Sequence, residues 1–210
     1  DSSSPLYLYV GNFGDTPAVD FLAARYDARL KAIAPVASLS HIAWAIPSVR
    51  TRTPTFADYA DASIERVIGP AFSHTLRLQM STMDHLVFLN RGGHFEVRPL
   101  PAEAQWAPAF AAVIADFDGD GHEDVFLGQN FSQTEISTPR LDAGRGLLLL
   151  GDGAGALQPA PGQRSGIVIY GDQRGAAASD YDRDGRTDLA VSQNAGLTRL
   201  FHNLGAKPGL

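Results

Sequence analysis

The stretch Asp116-Phe117-Asp118-Gly119-Asp120-Gly121-His122-Glu123-Asp124 decides how this chain is read, because its pattern D-x-D-x-D-G-x-x-D returns 64 positions later as Asp180-Tyr181-Asp182-Arg183-Asp184-Gly185-Arg186-Thr187-Asp188. Four carboxylates within nine residues repel one another, and at ~4 Å each pair costs about 1 kcal/mol even at the dielectric of water. A chain concentrates like charge in this way where it supplies oxygen ligands to a hard cation. Calcium suits the pattern best, since it accepts many oxygens in flexible geometry.

The spacing separates these loops from EF-hands, which close with a bidentate Glu at loop position 12. That position is Leu127 in one loop and Val191 in the other, so Asp124 and Asp188 at position 9 are left to complete the shell. The expected metal ligands are Asp116, Asp118, Asp120 and Asp124 in the first loop, and Asp180, Asp182, Asp184 and Asp188 in the second. Position 7 takes a backbone carbonyl in such loops, which assigns that role to His122 and to Arg186. A guanidinium cannot ligate a cation, which supports the backbone role. Downstream, Val125-Phe126-Leu127 and Leu189-Ala190-Val191 are apolar and partly β-branched, and the upstream runs ending at Ala115 and Ser179 are small and apolar. The unit reads as strand, acidic loop, strand.

The runs Ala115 to Val125 and Ser179 to Leu189 resemble the FG-GAP (VCBS-type) repeat of integrin-α-like β-propellers. The ending Phe201-His202-Asn203-Leu204-Gly205-Ala206-Lys207-Pro208-Gly209-Leu210 is similar to the junction leading into the ASPIC/UnbV segment of secreted repeat proteins. The resemblance covers roughly the second half of the chain. It implies that the acidic loop joins the first two strands of a propeller blade and binds calcium.

Composition is that of an ordinary globular chain: 210 residues, 44% hydrophobic and 19% charged, with 21 Gly and 13 Pro marking many turns. With no Cys, disulfides and thiolate metal sites are excluded. No apolar run approaches the ~20 residues of a membrane span. The net charge of −6 argues against nucleic acid and anionic membrane surfaces as partners. The start Asp1-Ser2-Ser3-Ser4-Pro5 reads as a processed or truncated end.

Along the chain, Leu6 to Val10 reads as strand, and Asn12 to Asp20 reads as a decayed copy of the acidic loop in which only Asp20 keeps its carboxylate position. Thr53 or Thr55 with Asp58, followed by apolar residues at helical spacing and Gly69-Pro70, predicts one inserted helix of about four turns over 54–68. Leu86 to Val97 and Leu147 to Leu157 read as hairpins, with Leu197 to Gly205 as a truncated third copy. The expected fold is all-β, a propeller or part of one. Its blades fall at about 5–34, 72–101, 108–161 and 166–206, with further blades or another chain completing the ring.

Other chemistries fit less well. Gly151-Asp152-Gly153-Ala154-Gly155-Ala156 loosely matches a dinucleotide fingerprint, but Pro159 and Pro161 leave no room for the helix it requires. The six His make no H-x-H or H-E-x-x-H arrangement for zinc. Paired carboxylates invite a hydrolase reading, but identical duplication fits a structural ion better. Trp44, Trp106, Tyr59 and Tyr170 read as packing residues or as a carbohydrate-binding surface. The function expected is a calcium-stabilised scaffold, secreted, periplasmic or at the cell surface, that recognises an extracellular protein or glycan. The alternative is a secreted enzyme built on the same framework.

Overall fold

The computed structural model describes residues 5–14, 16–134 and 138–205, so the last five residues of the ASPIC/UnbV-like ending and Asp15 of the decayed loop lie outside the described residues. Among these, thirteen strands form four antiparallel sheets, and the chain divides into two compact units, Asp1–Met83 and Asp84–Leu210.

The first unit opens with β1 (Leu6–Gly11), β2 (Asp20–Asp27) and β3 (Ala32–Pro35), and its sheet has the order β3-β2-β1-β4, where β4 is Leu76–Met80. The stretch 72–101, expected as one blade, is therefore divided between two sheets. β4 pairs with β1 because the alternation matches: Leu8 faces Leu78 and Leu6 faces Met80, while Arg77 lies 5.3 Å from the centre of the Tyr7 ring.

Between β3 and β4 the single expected helix is corrected to a set of short ones. These are α1 (Leu39–Ala45), α2 (Val49–Arg52), α3 (Phe56–Ala60) and α4 (Ile64–Ile68), followed by a 3₁₀ turn, Gly69–His74. Thr55 does cap α3 in a capping box with Asp58. The helix stops at Asp61, and Ser63 acts as a second N-cap, its hydroxyl accepting from Arg66 N–H at 3.3 Å, and starts a separate helix. Broken in this way, the segment lays Leu39, Ile42, Val49, Ile64 and Val67 against Tyr9 and Leu22 of the sheet. Fully burying such a side chain contributes ~1.5–3 kcal/mol.

The second unit begins with a hairpin, β5 (Leu86–Asn90) and β6 (Phe95–Pro99). A meander follows: β7 (Ala109–Ala115), β8 (Asp124–Gln129), β9 (Leu147–Gly151) and β10 (Leu157–Ala160), in the spatial order β10-β9-β8-β7. After a short helix, α5 (Gly162–Ser165), β11 (Asp172–Ser179), β12 (Asp188–Asn194) and β13 (Arg199–Phe201) form a three-stranded sheet. The third hairpin expected over 197–205 contributes only β13 among the described residues.

β11 packs beside β7, and Phe126, Leu148, Ile169, Leu189 and Val191 fill the space between the two sheets. The two first strands carry the same irregularity: each is bulged, at Phe110 in β7 and at Arg174 in β11. The two bulged residues meet, with the Arg174 guanidinium 4.1 Å from the centre of the Phe110 ring.

Candidate metal-binding loops

Among the described residues, three hairpins close with the same register, an eight-residue connection ended by a ninth, paired residue. The last paired residues are Gly11 with Asp20, Ala115 with Asp124 and Ser179 with Asp188. The ninth residue is in each case an Asp whose carboxylate turns back into the loop. Asp20 accepts from Phe13 N–H at 3.0 Å, Asp124 from Phe117 N–H at 2.8 Å and Asp188 from Tyr181 N–H at 3.1 Å. Asp124 and Asp188 are essentially buried, at 0% and 1% exposure. Each spends its second oxygen on a backbone N–H at the far end of the third strand, Gly151, the last residue of β9, at 2.8 Å and Asn203, two residues after β13, at 2.7 Å. A buried carboxylate is costly unless hydrogen-bonded, and here the donors are main-chain groups.

The first acidic position shapes the turn. Asp116 accepts from Gly119 and Gly121 N–H at 2.7 and 2.9 Å, and Asp180 accepts from Asp184 and Gly185 N–H at 3.0 and 2.9 Å. Such bonding bends the backbone into the left-handed region at Gly121 (φ 86°) and Gly185 (φ 86°), which glycine adopts freely. Position 4 is left-handed too, Gly119 at 80° in one loop and Arg183 at 66° in the other.

The structure brings one carboxylate oxygen each from Asp116, Asp118 and Asp124 within 4.8 Å of one another, and does the same for Asp180, Asp182 and Asp188. Calcium holds its oxygens at ~2.3–2.6 Å, so two ligands of one ion lie at most about 5 Å apart. The donor set and its spread both fit a hard cation. Asp120 falls outside the first group; its Oδ1 accepts from His122 N–H at 2.8 Å. Asp184 falls outside the second group and stands with Asp182 around His202.

The two loops differ in charge environment. The Asp118 carboxyl is pushed up by burial first and then by the Asp124, Asp120 and Asp116 carboxylates, with the Asp120 N–H opposing them only in part. In the second loop Arg186 pairs with Asp184, and His202 Nε2 lies 2.7 Å from Asp182 Oδ2. The backbone N–H of Asn203 is the main cause that holds Asp188 below the usual carboxylate range. The side chains at position 7 point to other tasks. The His122 ring lies over Gly153, where an added Cβ would meet Nδ1 at 2.4 Å, and Arg186 Nε donates to Asn203 O at 2.7 Å.

The decayed loop has no carboxylate besides Asp20 among its described residues, and Asp20 Oδ2 is already taken by Phe13 and Gly14 N–H. Among the described residues, these hydrogen bonds to Asp20 close the hairpin.

Elsewhere, the glycine run at 151–155 is a hairpin turn, with Asp152 N–H donating to Ala156 O and Asp152 Oδ1 accepting from Ala154 and Ala156 N–H. Asn130, buried at φ 87°, bonds the main chain at Gly144, Tyr170 and Gly171. Tyr59 is a packing residue, its hydroxyl donating to Ala37 O at 2.7 Å. Trp44, Trp106 and Tyr170 are exposed. The contributions of Gly151 and Asn203 were not legible in the acidic pattern, because both donate through the backbone. The one signal available was their place at the end of β9 and just after β13. No family model matches this chain, and none of the curated proteins is similar to it.

Proposed function

We propose that this chain is a calcium-stabilised β-sheet scaffold of the FG-GAP type, part of a propeller, that works outside the cytosol and presents its sheets to an extracellular protein or glycan. The observation that carries the reading is the paired geometry of the acidic loops. Two hairpins with the same register each gather three carboxylates within 4.8 Å. When bound, calcium would neutralise Asp116, Asp118 and Asp124, or Asp180, Asp182 and Asp188, and so pin the crossing from first to second strand. Because the ion binds the folded loop, its binding adds to stability. Extracellular calcium modules bind at ~10⁻⁴–10⁻³ M, so the ion would be held outside cells and mostly absent in cytosol.

The test is thermal unfolding in millimolar calcium and in chelator. The expected result is a higher melting temperature in calcium, reduced in Asp118→Ala, which leaves the second loop intact, with the chelated variant melting close to the chelated parent. An identical melting temperature for the parent in both conditions overturns the reading.

A further inference from the structure

We propose that Asn203 couples the two acidic loops, so that a cation in one loop raises the affinity of the other; this rests on the calcium reading above. Asn203 occupies in the last sheet the place that Gly151 holds in the meander: each donates its backbone N–H to the ninth-position carboxylate, Asn203 to Asp188 and Gly151 to Asp124. At Gly151 no side chain fits, since a Cβ would stand 2.1 Å from Glu123 O. At 203 the side chain is present and crosses to the other loop. Its Nδ2 donates to Phe117 O, at loop position 2 of the first loop, at 2.7 Å, and to Thr187 O of its own loop at 3.0 Å. Its Oδ1 accepts Gly205 N–H at 2.9 Å, which fixes the orientation of the amide.

A continuous path results. The Asp124 carboxylate holds Phe117 N–H, Phe117 O holds the Asn203 amide, and Asn203 N–H holds the Asp188 carboxylate. Arg186 clamps Asn203 O from the second loop. Phe117 also packs into the core between the sheets, so its peptide cannot shift freely. An ion that orders either loop orders this shared path, and the second ion then meets a loop already held in place.

The experiment is a calorimetric titration with calcium chloride of the whole chain, of Asp182→Asn, and of both again carrying Asn203→Gly, which copies the arrangement at Gly151. With Asn203 present, Asp182→Asn is expected to weaken the remaining first loop by about five-fold or more. With Asn203→Gly, the same substitution leaves the first loop within about two-fold of its affinity in the two-site Asn203→Gly chain. The charge removed is the same in both backgrounds, so the difference isolates the side chain. Asn203→Ser, too short to reach Phe117 O, replaces the Gly variant should that one fail to fold. Two ions bound independently with Asn203 present overturn the coupling and leave the calcium reading standing. No calcium binding at all overturns both.

Discussion

At the scale of the residue, the proposed reading gives Asp124 and Asp188 two purposes, and these separate experimentally. Each accepts two main-chain N–H groups while buried, so each closes its hairpin with or without an ion. Asp124→Asn turns an amide toward a donor, and hydrogen bonds to a charged group are worth ~1.5–3 kcal/mol. We expect it to lower stability by about 2 kcal/mol in chelator as well as in calcium, as read by urea unfolding. Unchanged stability in chelator would mean that the ninth carboxylate serves the ion alone. Arg183 carries a different cost, because it holds φ at 66° where the first loop has Gly119. The left-handed region costs a non-glycine residue ~1–2 kcal/mol, so Arg183→Gly is expected to gain about 1 kcal/mol in the same assay. A loss would show that contacts of the Arg183 side chain outweigh the strain. The sequence made the acidic side chains visible and their spacing told strand from helix. It did not show that the ninth Asp is buried, since an acidic letter carries no mark of what donates to it.

At the scale of the element, the joint between β7 and β11 is built from repeated bulges. Arg174 stacks on Phe110, donates to Asn130 O at 2.8 Å and pairs with Asp172 at 3.3 Å, while Asp172 accepts from the Ser132 hydroxyl at 2.8 Å. Arg174→Ala removes the stacking and leaves the nearly buried Asp172 without its cation, and should cost about 2–4 kcal/mol by chemical denaturation. Arg174→Met, which keeps the bulk but not the charge, should lose nearly as much if charge dominates. The β5–β6 hairpin is expected to respond to pH. Arg98 first, then Arg91, hold the Glu96 carboxyl below the usual glutamate range. A group depressed on folding contributes stability above its unfolded value and loses it as pH falls through the lower folded value. The hairpin is therefore expected to weaken below about pH 4, and Glu96→Gln should flatten that dependence in amide-exchange rates. Strands were legible because their alternation is local. The helix break at Asp61–Ser63 was not, because Phe56, Ala60, Ile64 and Val67 keep helical spacing across it and only the cap at Ser63 interrupts the path. Nor was the pairing of β4 with β1, which joins segments about seventy residues apart and depends on the cross-strand match of Leu8 with Leu78.

At the scale of the whole chain, the proposal treats the sheets as a rigid framework and the acidic loops as the places where ions hold strand to strand. The 64-residue recurrence extends beyond the carboxylates to the bulges, the closing register and the Gln-Asn pairs at the ends of β8 and β12. That breadth favours a duplicated structural unit over a single catalytic centre. The most direct measurement is a crystal structure grown in millimolar calcium. The account predicts an ion among Asp116, Asp118 and Asp124, and a second among Asp180, Asp182 and Asp188, with oxygens at about 2.3–2.6 Å. Carboxylates turned into solvent around no ion in either loop would contradict it.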